Sequence, residues 1–349
     1  MNITGFDKIA PYLTHPLVLV GFVMLLVYGI HWQLMRSGLL SQVSKKDSGL
    51  IIRLFLRYGF WLALVLLLAG FGLQFSGIGL SAWNKWMDKE KAYVYFNVGQ
   101  FYIHHDKPDR AEKLYRKALA FDHTEETREI MAGAFGDLGL MYRKSGKLDR
   151  AEEMHLKALE FHEALGNKEG MADNYANLGI IYYRSYKLDQ AEDMYRKALS
   201  LDETLDCKQG MANAYTSLGL IYGRHGELDR AEEMHLKALE LDEALDRKED
   251  MAINYGNLGL LYKTRGELEQ AENMYLKALD LNEVLGRKEG MADNYDNLGN
   301  VYWIRGDLDK AEELWQKSLH LYEIMGHPLA EKVKHLLREL AEARSTSTR

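Results

Sequence analysis

The chain has 349 residues, 47% hydrophobic and 27% charged, enough to bury a substantial core. Its single cysteine, Cys207, excludes an internal disulfide framework. The net charge of −7 hides an asymmetry: residues 1–91 hold 9 Lys+Arg and 4 Asp+Glu, the remainder 35 and 47. An acidic body of that kind argues against nucleic acid as its main partner.

The head comes first. Between Lys8 and Arg36, and again between Arg57 and Lys85, there is no Lys, Arg, Asp or Glu. About 20 mostly apolar residues suffice for a helix to cross a bilayer, so two transmembrane helices are expected, at about 12–35 and 58–82. Trp32 and Trp61 would mark one interface of this hairpin, Tyr12 and Trp83 the other. A cleaved signal peptide fits poorly, because the first stretch lacks a basic start and a small-residue cleavage site. The connecting segment carries Arg36, Lys45, Lys46, Arg53 and Arg57, against Lys85, Lys89 and Lys91 downstream. The positive-inside rule then puts the connection in the cytoplasm and both termini outside it. A multi-pass membrane protein with a non-cytoplasmic body is the expectation.

From about Tyr93 to Met325 one pattern recurs every 40 residues. Leu178-Gly179 has counterparts at Leu138-Gly139, Leu218-Gly219, Leu258-Gly259 and Leu298-Gly299, with a weaker copy at Val98-Gly99. Within a copy, Tyr175, Leu178, Gly179 and Tyr182 share one helix face, and Ala191, Met194, Tyr195, Ala198 and Leu199 share another. Large tyrosines face small glycine and alanine holes. Gly146, Gly226, Gly266 and Gly306 would cap the first helices, and Pro108 suits the start of a second. Tyr186 stands where those glycines do. The segment LDRAEEMHLKALE is unchanged at 148–160 and 228–240, which points to duplication.

The Tyr175–Leu178–Gly179–Tyr182–Ala191–Tyr195–Ala198 spacing resembles the tetratricopeptide repeat (TPR) signature over about 230 residues. The period is longer than the common ~34 residues, and Glu203 stands where a proline is usual. The repeat is therefore similar to the long type of kinesin light chains and of the spindle-orientation adaptor that bridges G-protein subunits; many bacterial proteins look alike. The expected fold is all-α: a right-handed α-solenoid of six helical hairpins (92–327) and a capping helix (328–344), preceded by the transmembrane hairpin (1–91) and followed by a disordered tail (345–349).

Chemistry is sparse. His155 and His235 replace the core tyrosines Tyr195 and Tyr275, and His104-His105 has no Cys or carboxylate at ligand spacing. No nucleophile, base and orienter converge, so no enzyme, cofactor or metal is expected. The first helices are more informative. Beside the packing stripe stand Asn97, Asp137, Asn177, Ser217, Asn257 and Asn297; one turn on come Leu140, Ile180, Leu220 and Leu260, and beyond those Lys144, Arg184 and Arg224. The resemblance implies that such positions line a concave groove, where asparagines hold the backbone of an extended peptide. The basic row suggests an acidic protein or peptide partner. The expected function is that of a membrane-anchored scaffold, with the bilayer as second partner through residues 12–82 and self-association open as a further mode. A sensor whose solenoid changes shape on binding is the alternative.

Overall fold

The computed structural model describes residues 80–121 and 124–347. The chain divides into two units, 1–88 and 89–349, and the second is described here. The expected spans at 12–35 and 58–82 lie outside the described residues, except for 80–82. Among the described residues, no helix is long and apolar enough to cross a membrane.

Thirteen helices are described: α1 (Leu80–His104), α2 (Pro108–Leu119), α3 (Glu125–Lys144), α4 (Leu148–Leu165), α5 (Lys168–Arg184), α6 (Leu188–Leu205), α7 (Lys208–His225), α8 (Leu228–Ala244), α9 (Lys248–Arg265), α10 (Leu268–Leu285), α11 (Lys288–Arg305), α12 (Leu308–Met325) and α13 (Leu329–Ser347). They pair as hairpins from α1/α2 to α11/α12. Each second helix also packs on the first helix of the next hairpin. From α3 onward, the first helices approach one another directly (α3–α5, α5–α7, α7–α9, α9–α11), which puts them on the inner side of the stack.

The turns inside the hairpins are tight because one residue turns left-handed. Gly226 has φ +76°, and the next amide, Glu227 N–H, bonds Tyr222 O at 2.9 Å. Tyr186 adopts the same conformation (φ +58°) with a side chain that is 79% exposed.

Within each hairpin a ring fills a glycine hole sixteen residues upstream. Tyr115 sits on Gly99, His155 on Gly139, Tyr195 on Gly179, His235 on Gly219, Tyr275 on Gly259 and Trp315 on Gly299. A Cβ built on Gly179 would lie 2.8 Å from the Tyr195 ring, closer than carbon atoms pack. The buried rings carry polar tips, and the next hairpin partners two of them. His155 Nδ1 lies 2.9 Å from Asn174 Oδ1, and His235 Nδ1 lies 3.0 Å from Asn254 Oδ1. Burial pushes both imidazoles below their ordinary pKa, so each is a neutral core ring.

Between hairpins runs a second ladder. The hydroxyls of Tyr142, Tyr182, Tyr222, Tyr262 and Tyr302 donate to Glu112, Glu152, Glu192, Glu232 and Glu272. Each bond spans 30 residues and ties a first helix to the second helix before it. Arginines brace it: Arg265 reaches Asp229 at 2.6 Å and Glu232 at 2.5 Å, and Arg305 reaches Glu272. For Glu232, burial pushes the pKa up, but the Tyr262 hydroxyl and Arg265 more than offset it, leaving it low and the carboxylate ionised.

The last helix covers the open end, with Val333 and Leu340 buried against a cluster that includes Trp315 and Tyr322. It runs on to Ser347, three residues past the expected end of the cap at Arg344, since nothing in Ala341–Ser347 breaks a helix. Lys332 does not simply face water; it bonds the buried Asp296 at 2.7 Å.

Candidate functional site

A cavity of about 670 Å³ opens on the inner side of the stack, where α5, the end of α6, α7 and α9 meet. Small side chains make the room: Ala172, Ala176, Ala198, Ala214 and Gly210 line it. Ile180, Leu205 and Ile253 give it apolar walls, and Leu205 and Ile253 are largely exposed. Asn213, Thr216, Ser217 and Asn254 add hydrogen-bonding groups.

The remaining lining is acidic: Glu169, Asp173, Asp202 and Asp250, with no lysine or arginine among the lining residues. Burial raises the pKa of Asp173, and the charge of Glu169 adds to it. Asp202 is pushed up to about 6, first by burial and then by the neighbouring charge of Asp173. Asp250 is different, because Arg247 pairs with it at 2.8 Å.

The residues expected to form the groove all lie on first helices, from α1 to α11. Of the ten, Ile180 alone lines the cavity. Three asparagines turn back on their own helix: the amides of Asn97, Asn177 and Asn297 donate to the carbonyls of Tyr93, Asp173 and Asp293, four residues upstream, at 2.8, 2.9 and 3.0 Å. Asn297 also accepts from Lys263 at 3.3 Å. The Asn257 amide nitrogen is buried, and no described residue bonds it. Leu220 is half-buried and Leu260 is 51% exposed.

The basic row does not serve the cavity. Lys144 and Arg184 are exposed at the C-terminal ends of α3 and α5. Arg224 lies over the rings of Tyr183, at 4.3 Å, and Tyr186, at 5.3 Å. The cavity lining, by contrast, carries carboxylates and no lysine or arginine, and carboxylates repel an acidic segment. Sequence reasoning missed Glu169, Asp173 and Asp202 because each reads as an ordinary solvated helix residue. Only the stacking of hairpins brings them to one cavity. Among the described residues, no group of His, Cys, Asp and Glu is arranged to hold a metal ion.

Family models described as tetratricopeptide repeat match residues 130–204, 210–283 and 250–324, and a second one matches 92–122. The chain belongs to the tetratricopeptide repeat family. No curated protein matches it significantly. Among solved structures, this TPR protein is similar to BtubC (BKLC) from P. vanneervenii, with 23% identity, 70% of this chain and 94% of that chain covered, and a TM-score of 0.52. It is also similar to the apo form of RapI, with 15% identity, 74% and 98% coverage, and a TM-score of 0.53. At such identities the likeness is one of fold. The TPR hairpins here repeat at 40 residues, Lys168, Lys208, Lys248 and Lys288 each opening a first helix.

Proposed function

We propose that this protein is a membrane-anchored TPR scaffold, without enzymatic activity, that holds an extended segment of a partner protein across its inner face. The observation that supports this most is the cavity between α5, α7 and α9. It combines exposed apolar walls with amide and hydroxyl groups, the set a peptide needs for its side chains and backbone. The anchor rests on the uncharged stretches between Lys8 and Arg36 and between Arg57 and Lys85. The excess of basic residues between them favours a solenoid outside the cytoplasm. Holding the groove at a membrane raises the local concentration of any partner that also sits there.

Two experiments test the reading. A library of displayed peptides is selected against the full chain, and captured sequences are measured on Ala176→Trp, which fills the cavity. Unchanged capture by that variant would place binding elsewhere. Alkaline extraction of membranes, with protease access to a C-terminal tag, tests the anchor and its side. Release of the chain into the soluble fraction would remove the anchor from the proposal.

A further inference from the structure

The positions five residues beyond the buried site at the end of each second helix differ from hairpin to hairpin. In the α8 turn Arg247 Nη1 pairs with Asp242 Oδ1 at 3.0 Å. In the α10 turn Arg287 bonds Asn282 at 3.4 Å and pairs with Glu249, on the preceding hairpin, at 3.0 Å. In the α12 turn His327 stacks on Tyr322 and approaches Glu289 at 3.7 Å. In the α10 and α12 turns one side chain thus covers two groups, the residue five positions before it and an acid 38 positions upstream; in the α8 turn, where position 209 is Gln, Arg247 turns to Asp250 instead.

In the α6 turn that position is Cys207, and the two groups are Asp202 and Glu169. Neither carboxylate receives a hydrogen bond or an ion pair from any described residue, although the Asp202 backbone carbonyl accepts from Cys207 N–H at 2.9 Å. Asp202 is only 8% exposed and lines the cavity, so its carboxylate has lost most of its surroundings of water and faces that opening without a partner from the protein. Arg247, just before α9, is engaged by Asp242, Asp250 and Asn213. Cys207 itself lines the cavity and is exposed, so the place an arginine would fill is open to an incoming group.

We infer that the partner segment is basic, and that one of its lysine or arginine side chains enters beside Cys207 to pair with Asp202, as Arg247 pairs with Asp242, and with Glu169, as Arg287 pairs with Glu249. This rests on the peptide-binding reading above and names its specificity. A guanidinium suits the site best, since it bonds two carboxylates in one plane. The apolar walls at Ile180 and Ile253 favour an aliphatic neighbour on the same segment, which a free polyamine lacks. The acidic balance of the body, 35 Lys+Arg against 47 Asp+Glu beyond residue 91, draws such a segment in.

The test uses the full chain and fluorescein-labelled alanine–leucine hexapeptides with one central arginine, lysine, glutamate or serine. The arginine peptide is expected to bind about 10-fold or more tighter than the serine peptide, and the glutamate peptide weakest. Cys207→Arg, which supplies the missing cation internally, is expected to melt higher and to lose the preference for arginine. Asp202→Asn should lose it too, without the rise coming from a new ion pair. Equal binding of all four peptides would overturn the basic assignment while leaving the peptide groove standing. Binding of spermidine as tight as that of the arginine peptide would overturn the peptide as its source. A Cys207→Arg variant that melts no higher would show that the gap is not shaped for a cation, and overturns the proposal whether or not any hexapeptide binds.

Discussion

Two side chains, Asp202 and Tyr186, each decide a point that melting can test. Asp202 holds its proton more tightly in the folded chain, near 6, than at its ordinary value of 3.8. Its ionisation therefore lowers stability, fully above about pH 6 and progressively less as pH falls toward 4. The charges that face it are Asp173 and Glu169 on α5 and, across the cavity on α9, Asp250 paired with Arg247. Asp202→Asn should raise the melting temperature at pH 7.5 by about 2–4 °C for each kcal/mol recovered, and raise it clearly less at pH 4.5. Equal shifts at both pH values, read by circular dichroism, would mean the carboxylate charge is not the cause. Tyr186 offers a balance of small terms. Its left-handed backbone costs about 1 kcal/mol, whereas its ring lies under the Arg224 guanidinium, an exposed contact of about 0.5–1 kcal/mol. Tyr186→Gly should accordingly move the melting temperature by no more than about 2 °C. A large fall would show that the ring supports more than Arg224.

At the scale of the hairpin, the glycine holes set the distance between paired helices. Gly179→Ala drives a methyl group into the Tyr195 ring, an overpacking cost of about 1–3 kcal/mol, and Gly179→Leu should cost more. Exposed Gly133, where an added Cβ meets nothing within 4 Å, is the control: alanine there should stabilise its helix slightly. Urea melts of the three variants check the order. These holes were legible in the sequence, because Tyr195 and Gly179 recur in step and a repeat shows its own register. The ladder was only half legible. Glu152 reads naturally as a favourable charge in the first turn of a helix, and that it takes the Tyr182 hydroxyl follows only from how hairpins stack. The asparagines misled for a related reason: an amide on a helix can always satisfy itself on the carbonyl one turn back, as Asn177 does. The significance of Cys207 was visible as a departure from Arg247 and Arg287, yet it has no meaning until the acids those arginines meet are known.

Among the described residues, contacts join neighbours in sequence, and the first residue of the three core clusters is Ala92. A 92–349 fragment is therefore expected to be soluble and helical, since a stack of local interfaces needs no distant nucleus. Disordered or aggregated material in its circular dichroism and gel filtration would contradict this. Its acid side should be set by the ladder. Glu112, Glu192, Glu232 and Glu272 sit below their ordinary pKa, so the stability they supply is present above about pH 4.5 and is lost as pH falls through their folded values. Replacing Tyr262 by Phe removes one of the groups that hold Glu232 low, so the α8–α9 junction should be weaker at neutral pH and lose less on acidification, visible as faster amide exchange there at pH 7 with a shallower acid dependence.

The tyrosine–glutamate ladder always points backward by the same interval, and this makes the chain countable. Removing 208–247 would set Lys248 directly after Cys207 and bring Tyr262 to Glu192, a pairing identical in kind to the one deleted. Inserting another copy would do no harm either, because every junction offers the same glutamate to the same hydroxyl. The length of such a protein is then free to drift in whole units while each seam stays sound. What cannot be copied or dropped so freely is the irregular unit, the one with cysteine in place of arginine: a lineage could lengthen or shorten its chain around that unit, but losing it would erase whatever only that unit recognises.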